Sequence, residues 1–258
     1  MHLKNKVVLV TGASSGIGKY LSLLLAKEDC KLILLSRRIN ELETLSDSIK
    51  LNKTLTIYKC DVSDLEQVEL IYHQIKNKFG KIDIAVLNAG VGHQVKIQDF
   101  DINQAKETFD TNVFGVLNFF KVLLPDFIAR RGGYIIGVSS MADVRGFVNS
   151  GIYCASKSAL SKILESFRIE LKSFNIKVIT VRPGFVQTPM TAKNRFHMPF
   201  LLKPEEAAEI ILNGIKNEKS IIQFPLPMYF ASELIRYMPN SLFEFLSSKF
   251  PRKRQYFF

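Results

Sequence analysis

The hydrophobic pattern alternates between short apolar runs and longer segments with helical spacing. Seven runs of strand length occur at residues 6–10, 32–35, 54–59, 82–87, 134–138, 176–181 and 220–223. Helical patterns lie between them, the longest at residues 103–130 and 152–174. Such an alternation predicts βαβ units, because a helical crossover returns the chain parallel to the strand before it. The pattern therefore predicts a doubly wound α/β fold with a seven-stranded parallel sheet and helices on both faces.

The turn after the first predicted strand is rich in glycine. Residues 11–18 read Thr-Gly-Ala-Ser-Ser-Gly-Ile-Gly, and a helical pattern follows them. A strand, a glycine turn and a helix start bind diphosphates, because the backbone approaches the phosphates closely and the first helical N–H groups are free. The spacing differs from the common G-x-G-x-x-G fingerprint. The turn predicts a nucleotide diphosphate site.

Tyr153 and Lys157 lie four residues apart on a predicted helix. Their side chains therefore share one face, about one turn apart. The positive charge of a lysine favours the ionised form of a nearby phenol, so we expect Tyr153 to transfer a proton near neutral pH. A solvated helix face would also carry such a pair. Cys154 between them has no activating base in the motif and is interpreted as inert.

The glycine turn and the Tyr153/Lys157 pair resemble motifs of the short-chain dehydrogenase/reductase family. Over about residues 5–223 the chain is similar to that family, in the order glycine turn, Asn88-Ala89-Gly90, Asn112, Ser140, Tyr153, Lys157 and Pro183-Gly184. The resemblance implies a Rossmann-type fold and hydride transfer between a nicotinamide and a carbonyl or alcohol substrate. One departure is Leu87, which replaces the first asparagine of the usual Asn-Asn-Ala-Gly.

The resemblance also implies the catalytic residues. Ser140 lies 13 residues before Tyr153, as the family's active serine does, and is preferred to Ser139. Ser140 would orient the substrate oxygen, and Tyr153 would exchange a proton with it. Lys157 would lower the pKa of Tyr153 and bind the nicotinamide ribose. Asn112 matches the asparagine that perturbs a helix and holds a water linking the lysine to solvent; a core asparagine with a structural partner is the alternative.

Cofactor contacts follow from the same resemblance. Asp61 would contact the adenine, although a simple loop acid is the alternative, and Asn88 would stabilise the central strands. Val186 and Thr188 would meet the carboxamide. The expected cofactor-binding residues are Gly12, Ser14, Ser15, Gly16, Ile17, Gly18, Arg37, Asp61, Val62, Asn88, Ala89, Gly90, Tyr153, Lys157, Pro183, Gly184, Val186 and Thr188. Ser63 and Glu66 fit a capping box for the helix that follows Asp61.

The end of the second predicted strand bears on the choice of cofactor. Ser36 stands 18 residues after Gly18, where an NAD-preferring relative would carry a ribose-binding acid. Arg37 follows it and would pair with a 2′-phosphate. We therefore predict NADP (NADPH) as the cofactor, with Ser15 and Lys19 near the same phosphate. The alternative is that Arg37 and the adjoining Arg38 are solvated surface charges.

Composition narrows the class of protein further. The net charge of +11 permits an anionic partner, but the basic residues are scattered and no nucleic-acid motif occurs, so we expect no nucleic-acid binding. The three cysteines are widely spaced, which favours a reducing, cytoplasmic location. The four histidines show no metal-ligand spacing, and no metal is expected. Neither a signal peptide nor an apolar run of about 18 residues is expected.

The C-terminal part departs from the family pattern. We expect residues 1–224 to form the dinucleotide-binding and catalytic domain, and residues 225–258 an amphipathic, basic extension of it. Pro239 would divide the extension into two short helices. Aromatic residues beside basic ones fit peripheral contact with an anionic membrane. Covering the substrate cleft or meeting a second subunit are the alternatives.

Two further expectations concern partners. The apolar segment 189–203 matches a substrate lid, which suggests a hydrophobic carbonyl or alcohol compound; packing on the domain is the alternative. A homodimer or homotetramer would pack the helices at 103–130 and 152–174 against a partner, with Phe114, Phe119, Phe120, Phe167 and Phe174 as candidate contacts.

Two other functions are compatible with the same fold. One is a non-enzymatic NADP-binding regulator, and the other is a membrane-surface scaffold.

Overall fold

One parallel sheet forms the centre of the protein. The structure, a computed structural model, describes residues 1–49, 54–95, 97–194 and 196–249. Its strands run in the order β3-β2-β1-β4-β5-β6-β7, and every neighbouring pair is parallel. They are β1 Val7–Thr11, β2 Lys31–Ser36, β3 Leu55–Lys59, β4 Ile84–Leu87, β5 Gly133–Val138, β6 Ile176–Pro183 and β7 Ile221–Phe224. The predicted seven-stranded doubly wound sheet is confirmed.

Helices cover both faces of this sheet. They are α1 Gly16–Leu25, α2 Ile39–Ser48, α3 Leu65–Phe79, α4 Ile102–Phe109, α5 Gly115–Ala129, α6 Gly151–Glu170, α7 Pro204–Lys216, α8 Leu226–Tyr237 and α9 Asn240–Lys249. Side chains of α1, α2 and α7 share one apolar core with Val8 and Val10 of β1. Those of α3, α5 and α6 share the other core with Val7 and Leu9. Successive strand residues point to opposite faces, so the four apolar residues at 7–10 of β1 fill both cores.

The start of α3 differs from the expected capping box. The N-cap residue is Asp64, whose carboxylate accepts a hydrogen bond from the Gln67 backbone N–H at 3.1 Å. Ser63 instead donates its hydroxyl to Asp61 at 2.6 Å. The predicted Ser63–Glu66 capping box is therefore wrong, and the N-cap lies one residue later. The Ser63 hydroxyl is already bonded to Asp61, so Asp64 caps the helix.

The long helical pattern at 103–130 is interrupted. A π-helical turn, Asp110–Phe114, joins α4 to α5. The continuous stretch Ile102–Ala129 is long and apolar enough to cross a membrane by length and composition, which the sequence pattern had not led us to expect. Its side chains Phe119, Phe120 and Phe127 are buried in the core, and this packing accounts for its apolar character. Phe119 and Phe120 are therefore not free for the subunit contact considered above, whereas Phe114 is exposed.

The two C-terminal helices pack on the segment that follows β5. Pro239 lies between α8 and α9, as expected. Arg145 holds both helices, since it donates to the carbonyl oxygens of Ile235 and Met238 and to the side chain of Asn240. The Phe147 ring meets Phe243 at 6.0 Å between centroids. The expected basic cluster at 252–254 and the aromatic residues 256–258 lie outside the described residues.

Candidate active site

The glycine turn lies at the C-terminal edge of the central strands. β1 has β2 on one side and β4 on the other, so the strand order changes direction between β1 and β4. Gly12 adopts φ +64° and Gly16 adopts φ +52°, conformations that favour glycine. A Cβ at Gly18 would collide with the Gly12 carbonyl and approach the Asn88 side chain. These glycines therefore let the turn, the start of α1 and the neighbouring loops pack closely, which produces the tight turn before a helix start that is typical of diphosphate sites.

The start of α1 offers donors to such a ligand. Ser15 is its N-cap residue, and its side chain makes no capping hydrogen bond. The first N–H groups of a helix have no partner within the helix, and they carry the positive end of its dipole. The residues present therefore fit the phosphates of a dinucleotide.

Asn88 ties the turn to the neighbouring strand. Its amide donates to the carbonyl oxygens of Thr11 at 3.0 Å and Gly12 at 3.2 Å. The Thr11 hydroxyl in turn accepts from the backbone N–H groups of Asn88 and Ala89, both at 3.0 Å. These bonds join the ends of β1 and β4, which is the strand-stabilising role expected of Asn88.

Ser140 and Tyr153 come together as the 13-residue spacing implies. Ser140 follows β5, and its hydroxyl caps the short turn Met141–Val144 by accepting from the Ala142 N–H at 3.1 Å. The Ser140 side chain lies close enough to the Tyr153 phenol to lower its pKa. Ser139 points elsewhere, because it donates to the Lys157 carbonyl oxygen at 2.9 Å and contacts Ser161 at 2.7 Å. The structure thus separates a structural serine from one that faces the tyrosine.

Lys157 is buried beside this pair. Its side chain is 4% exposed and donates to the Val138 carbonyl oxygen at 2.9 Å. Its ammonium nitrogen lies 5.9 Å from the centre of the Tyr153 ring. Gly90 allows this approach, since a Cβ there would lie 3.4 Å from the ammonium nitrogen and 3.1 Å from Asn112 Oδ1.

The electrostatics of the pair differ from the expectation. Burial raises the pKa of Tyr153 to about 12, and the neighbouring Ser140 side chain opposes that rise only in part. Burial lowers the pKa of Lys157 to about 8, because desolvation penalises the charged form. Lys157 is not among the groups that shift the tyrosine pKa, so the expected lowering by the lysine is not seen. Tyr153 is therefore a protonated phenol at neutral pH.

Asn112 occupies the π-helical turn and is fully buried. Its side chain accepts from the Val91 N–H at 2.8 Å and donates to the Val91 carbonyl at 2.9 Å. A further hydrogen bond of 3.0 Å reaches the Ser156 hydroxyl on α6. Asn112 thus fastens the loop after β4 to the helix that carries Tyr153 and Lys157. Its role in a proton relay stays a prediction.

A buried ion pair, which the sequence did not reveal, supports the segment after Ser140. Arg182, at the end of β6, donates to Asp143 through Nε at 2.9 Å and through Nη2 at 2.7 Å. Ser161 donates to the same carboxylate at 2.6 Å, and Glu233 of α8 lies 3.5 Å from Arg182. This ion pair therefore connects the segment after Ser140 to β6, α6 and α8.

The two arginines after β2 have different surroundings. Arg38 donates to the hydroxyls of Ser14 at 2.9 Å and Ser15 at 2.7 Å, which places its guanidinium at the glycine turn. Arg37 instead lies 3.7 Å from Asp61 and 3.6 Å from Glu107. The sequence favoured Arg37, whereas the guanidinium that reaches the turn is that of Arg38. Its contact with two expected cofactor residues was not visible from the sequence order.

The adenine side is built by the loop after β3. The Asp61 carboxylate accepts from the Ser63 N–H at 3.0 Å and from the Ser63 hydroxyl, and it faces Arg37. The Val62 side chain is buried against α5, close to Gly115. Asp61 remains partly exposed, and its contact with a nucleotide base stays a prediction.

The loop after β6 lies over the glycine turn. A Cβ at Gly16 would lie 3.0 Å from the Thr188 methyl group. The Val186 side chain is buried, and its carbonyl accepts from the Thr191 hydroxyl at 2.6 Å. Gly184 donates its N–H to Phe224 at 2.7 Å. Pro183, Gly184, Val186 and Thr188 thus lie near the expected nicotinamide end of the cleft.

The start of the lid segment lies beside the tyrosine. A Cβ at Gly92 would lie 3.1 Å from the Met190 sulfur and 3.5 Å from the Tyr153 ring. Phe185 and Phe196 stack edge to face at 5.8 Å, which joins the loop after β6 to the lid. The cleft next to the Tyr153 hydroxyl therefore has an apolar wall.

No metal site accompanies these groups within the ranges that the structure covers. His, Cys, Asp and Glu side chains form no cluster of three there that could hold an ion. Burial raises the pKa of Cys154, which keeps the thiol protonated and agrees with its interpretation as inert.

The glycine turn and the hydroxyl pair meet at one sheet edge, which is the arrangement of a Rossmann-type oxidoreductase. A family model described as short chain dehydrogenase matches residues 6–198. The chain belongs to this family. It is therefore an oxidoreductase of the hydride-transfer class, in a family that binds nicotinamide cofactors and acts on small-molecule CH–OH or C=O substrates.

Relatives cover most of the chain. An uncharacterised oxidoreductase of Myxococcus xanthus is 32% identical over 240 residues, which span 93% of this chain and 95% of that protein. An NADP-dependent 3-hydroxy acid dehydrogenase of Schizosaccharomyces pombe is 31% identical, covering 85% and 90%. A short-chain dehydrogenase/reductase of Burkholderia phymatum in complex with NAD has the same fold, with a TM-score of 0.83 at 22% identity and coverages of 91% and 94%.

Proposed function

We propose that this protein is an NADP(H)-dependent oxidoreductase acting on a hydrophobic carbonyl or alcohol compound. The observation that carries the proposal is the proximity of Ser140, Tyr153 and buried Lys157 at the sheet edge that holds the glycine turn. A non-enzymatic NADP-binding regulator would not require two hydroxyls and a lysine gathered in this way.

The side chains divide the chemistry between them. When bound, the nicotinamide supplies or accepts the hydride. Ser140 donates a hydrogen bond to the substrate oxygen and orients the carbonyl. Tyr153, protonated because its pKa is about 12, gives its proton to that oxygen during reduction and takes it back during oxidation. Lys157 binds the nicotinamide ribose and, with Asn112 and a water, returns the proton from solvent.

The preference for NADP rests on Arg38 together with Arg37. Arg38 already bonds two hydroxyls at the glycine turn, and a 2′-phosphate there would receive a charge-assisted hydrogen bond. No carboxylate stands at Ser36, where one would repel that phosphate. The NADP-dependent Schizosaccharomyces relative supports this preference, whereas the Burkholderia structure holds NAD.

The preference for a hydrophobic substrate rests on the lid. Met190 lies beside Tyr153, and Phe196 packs on Phe185. Phe200 and Leu201 are exposed further along the same segment. Apolar walls around a few polar groups are typical of sites that bind an apolar ligand and fix it by its oxygen.

A Tyr153→Phe variant tests the mechanism, because it removes only the proton-transferring hydroxyl. NADPH consumption should be measured over a panel of carbonyl compounds, with Tyr58→Phe on β3 as the matched control. We expect Tyr153→Phe to lose about 100-fold or more in turnover and to keep NADPH binding. Retained turnover in that variant would falsify the mechanism. Binding of NADPH by the wild type with no turnover of any panel member would favour the regulator.

We also propose that the protein is a cytoplasmic homodimer or homotetramer. Its three cysteines are widely spaced along the chain and buried in the fold, which suits a reducing compartment. Phe114 on the π-helical turn and Ile169 on α6 are large exposed apolar residues on the two elements expected to meet a partner. Sedimentation of wild type against Ile169→Ser tests the contact; an unchanged mass for the variant would place the interface elsewhere.

A further inference from the structure

The outer side of α8 is an exposed stripe without charge. Leu226, Phe230, Leu234 and Tyr237 recur at helical spacing and are each 64 to 80% exposed. The remaining exposed residues of α8 are Pro227 and Ala231. A helix face that meets only water normally carries charged or polar residues, so a stripe of this kind indicates a partner.

Helix α9 adds a second set of exposed apolar residues. Leu242, Phe245 and Leu246 are exposed at spacings of three and one. The Lys249 ammonium lies 4.0 Å above the Phe245 ring and ends the helix with a positive charge. We call the exposed apolar residues of the two helices the docking face: Leu226, Phe230, Leu234, Tyr237, Leu242, Phe245 and Leu246.

The docking face is held firmly on the protein. The opposite side of α8 is packed, with Ser232 buried and Met228 against Gly184. Glu233 joins the ion pair of Arg182, and Arg145 holds the joint between α8 and α9. The exposed residues are therefore the outward side of two anchored helices rather than a core left uncovered.

Charge distinguishes the partners that such a face could meet. The exposed part of α8 carries no acid, and its Glu233 is neutralised by Arg182 and Arg236. On α9 the acid Glu244 is exposed between Leu242 and Phe245, and Lys249 ends the helix. The sequence continues with Arg252, Lys253 and Arg254, so the charge next to the apolar residues is net positive. An apolar, aromatic face with a net positive border is complementary to a lipid surface that is apolar below and anionic above.

We propose that the docking face binds the surface of an anionic lipid bilayer. The phenylalanine and leucine side chains enter the acyl boundary, and the basic residues that follow α9 meet the lipid phosphates. The cleft lies nearby, since Met228 of α8 contacts Gly184 and the adjoining Phe185 stacks on the lid residue Phe196. The binding itself does not depend on the proposed reaction.

Vesicle flotation with the full chain tests this surface. The vesicles consist of phosphatidylcholine alone or of phosphatidylcholine mixed with phosphatidylglycerol. We expect flotation with the anionic vesicles and little with the neutral ones, reduced by added salt. The double variant Phe230→Ser/Leu234→Ser should bind about tenfold or more weakly, because each change removes a large apolar side chain from the lipid.

Matched controls separate this face from general effects. Leu70→Ser on α3 removes an apolar residue of similar exposure, 60%, and should leave flotation unchanged. The triple change Arg252→Ser/Lys253→Ser/Arg254→Ser should abolish the preference for anionic vesicles. The triple change Lys4→Ser/Lys27→Ser/Lys172→Ser removes the same charge elsewhere and should keep it. Thermal melting confirms that each variant folds.

Two results would overturn the proposal. Equal flotation of wild type and Phe230→Ser/Leu234→Ser would mean that the docking face does not touch lipid. An absence of flotation, together with a wild-type oligomer that this double variant splits into monomers, would make the face a contact between copies of the chain. Activity on a water-soluble carbonyl should be the same in both proteins, which makes the result independent of the proposed reaction.

Discussion

Arg182 donates two hydrogen bonds to the Asp143 carboxylate, of 2.9 and 2.7 Å, and both side chains are almost fully buried. Asp143 lies three residues after Ser140, and Arg182 immediately precedes the Pro183-Gly184 turn. One ion pair therefore fixes the segment after Ser140 to the loop that is expected under the nicotinamide. Glu233 extends the pair to α8, so the C-terminal helices support the site from behind.

Removing one partner of this pair should destabilise the protein strongly. Asp143→Ala leaves the Arg182 charge buried without its carboxylate, and we expect a loss of roughly 3–5 kcal/mol in the free energy of unfolding. Chemical denaturation measures the loss. The exposed pair Lys162–Glu165, 2.8 Å apart, is the control, and Glu165→Ala should cost about 1 kcal/mol or less. Equal losses in the two variants would show that the buried pair has no special role.

Lys157 should make the stability depend on pH in the alkaline range. Its pKa is about 8 in the folded protein against an ordinary 10.5, so the unfolded chain binds more protons between these values. Stability from this group therefore rises with pH across that window, and the cost of the buried charge is fully present below it. Across the whole window the free energy of unfolding should rise by roughly 3 kcal/mol because of this group.

A Lys157→Met variant tests this pH dependence. We expect the stability of the wild type to rise, relative to the variant, as the pH increases from about 8 toward 10.5. Denaturant melts at a series of pH values measure the difference, with Lys162→Met as the matched lysine control, 74% exposed. A difference that stays constant with pH would mean that Lys157 keeps an ordinary pKa.

The fold, and the proximity of Ser140, Tyr153 and Lys157, could be predicted from the sequence because their signals are local. Short apolar runs separated by helical patterns predict βαβ units, and βαβ units imply a parallel sheet with helices on both faces. The order of the strands in that sheet comes from the structure alone. Ser140, Tyr153 and Lys157 lie within 18 residues of one another, and helix geometry alone places the last two on one face. Residues that are close in the sequence in this way are therefore also close in the folded structure.

The remaining features depend on distant parts of the chain or on a choice between neighbours. Asp143 and Arg182 are 39 residues apart and meet only because β5 and β6 pair. Asp64 replaces Ser63 as the helix cap because the Asp61 carboxylate already holds the serine hydroxyl. The raised pKa of Tyr153 reflects desolvation by the surrounding chain, which no motif contains.

The sequence alone does not decide which of the adjacent residues Arg37 and Arg38 contacts a 2′-phosphate, and separate variants distinguish them. Arg38→Ala should weaken NADPH binding about 10- to 100-fold, because it removes a charge-assisted contact, and should change NADH binding little. Arg37→Ala should have the smaller effect, since Asp61 and Glu107 already engage that guanidinium. Arg131→Ala, which changes an exposed arginine bonded to Ser173, is the control.

Fluorescence titration with NADPH and with NADH measures the affinities of the wild type and of each variant. Equal affinities of the wild type for NADPH and NADH would refute the NADP preference, and a larger loss in Arg37→Ala would return the 2′-phosphate contact to Arg37.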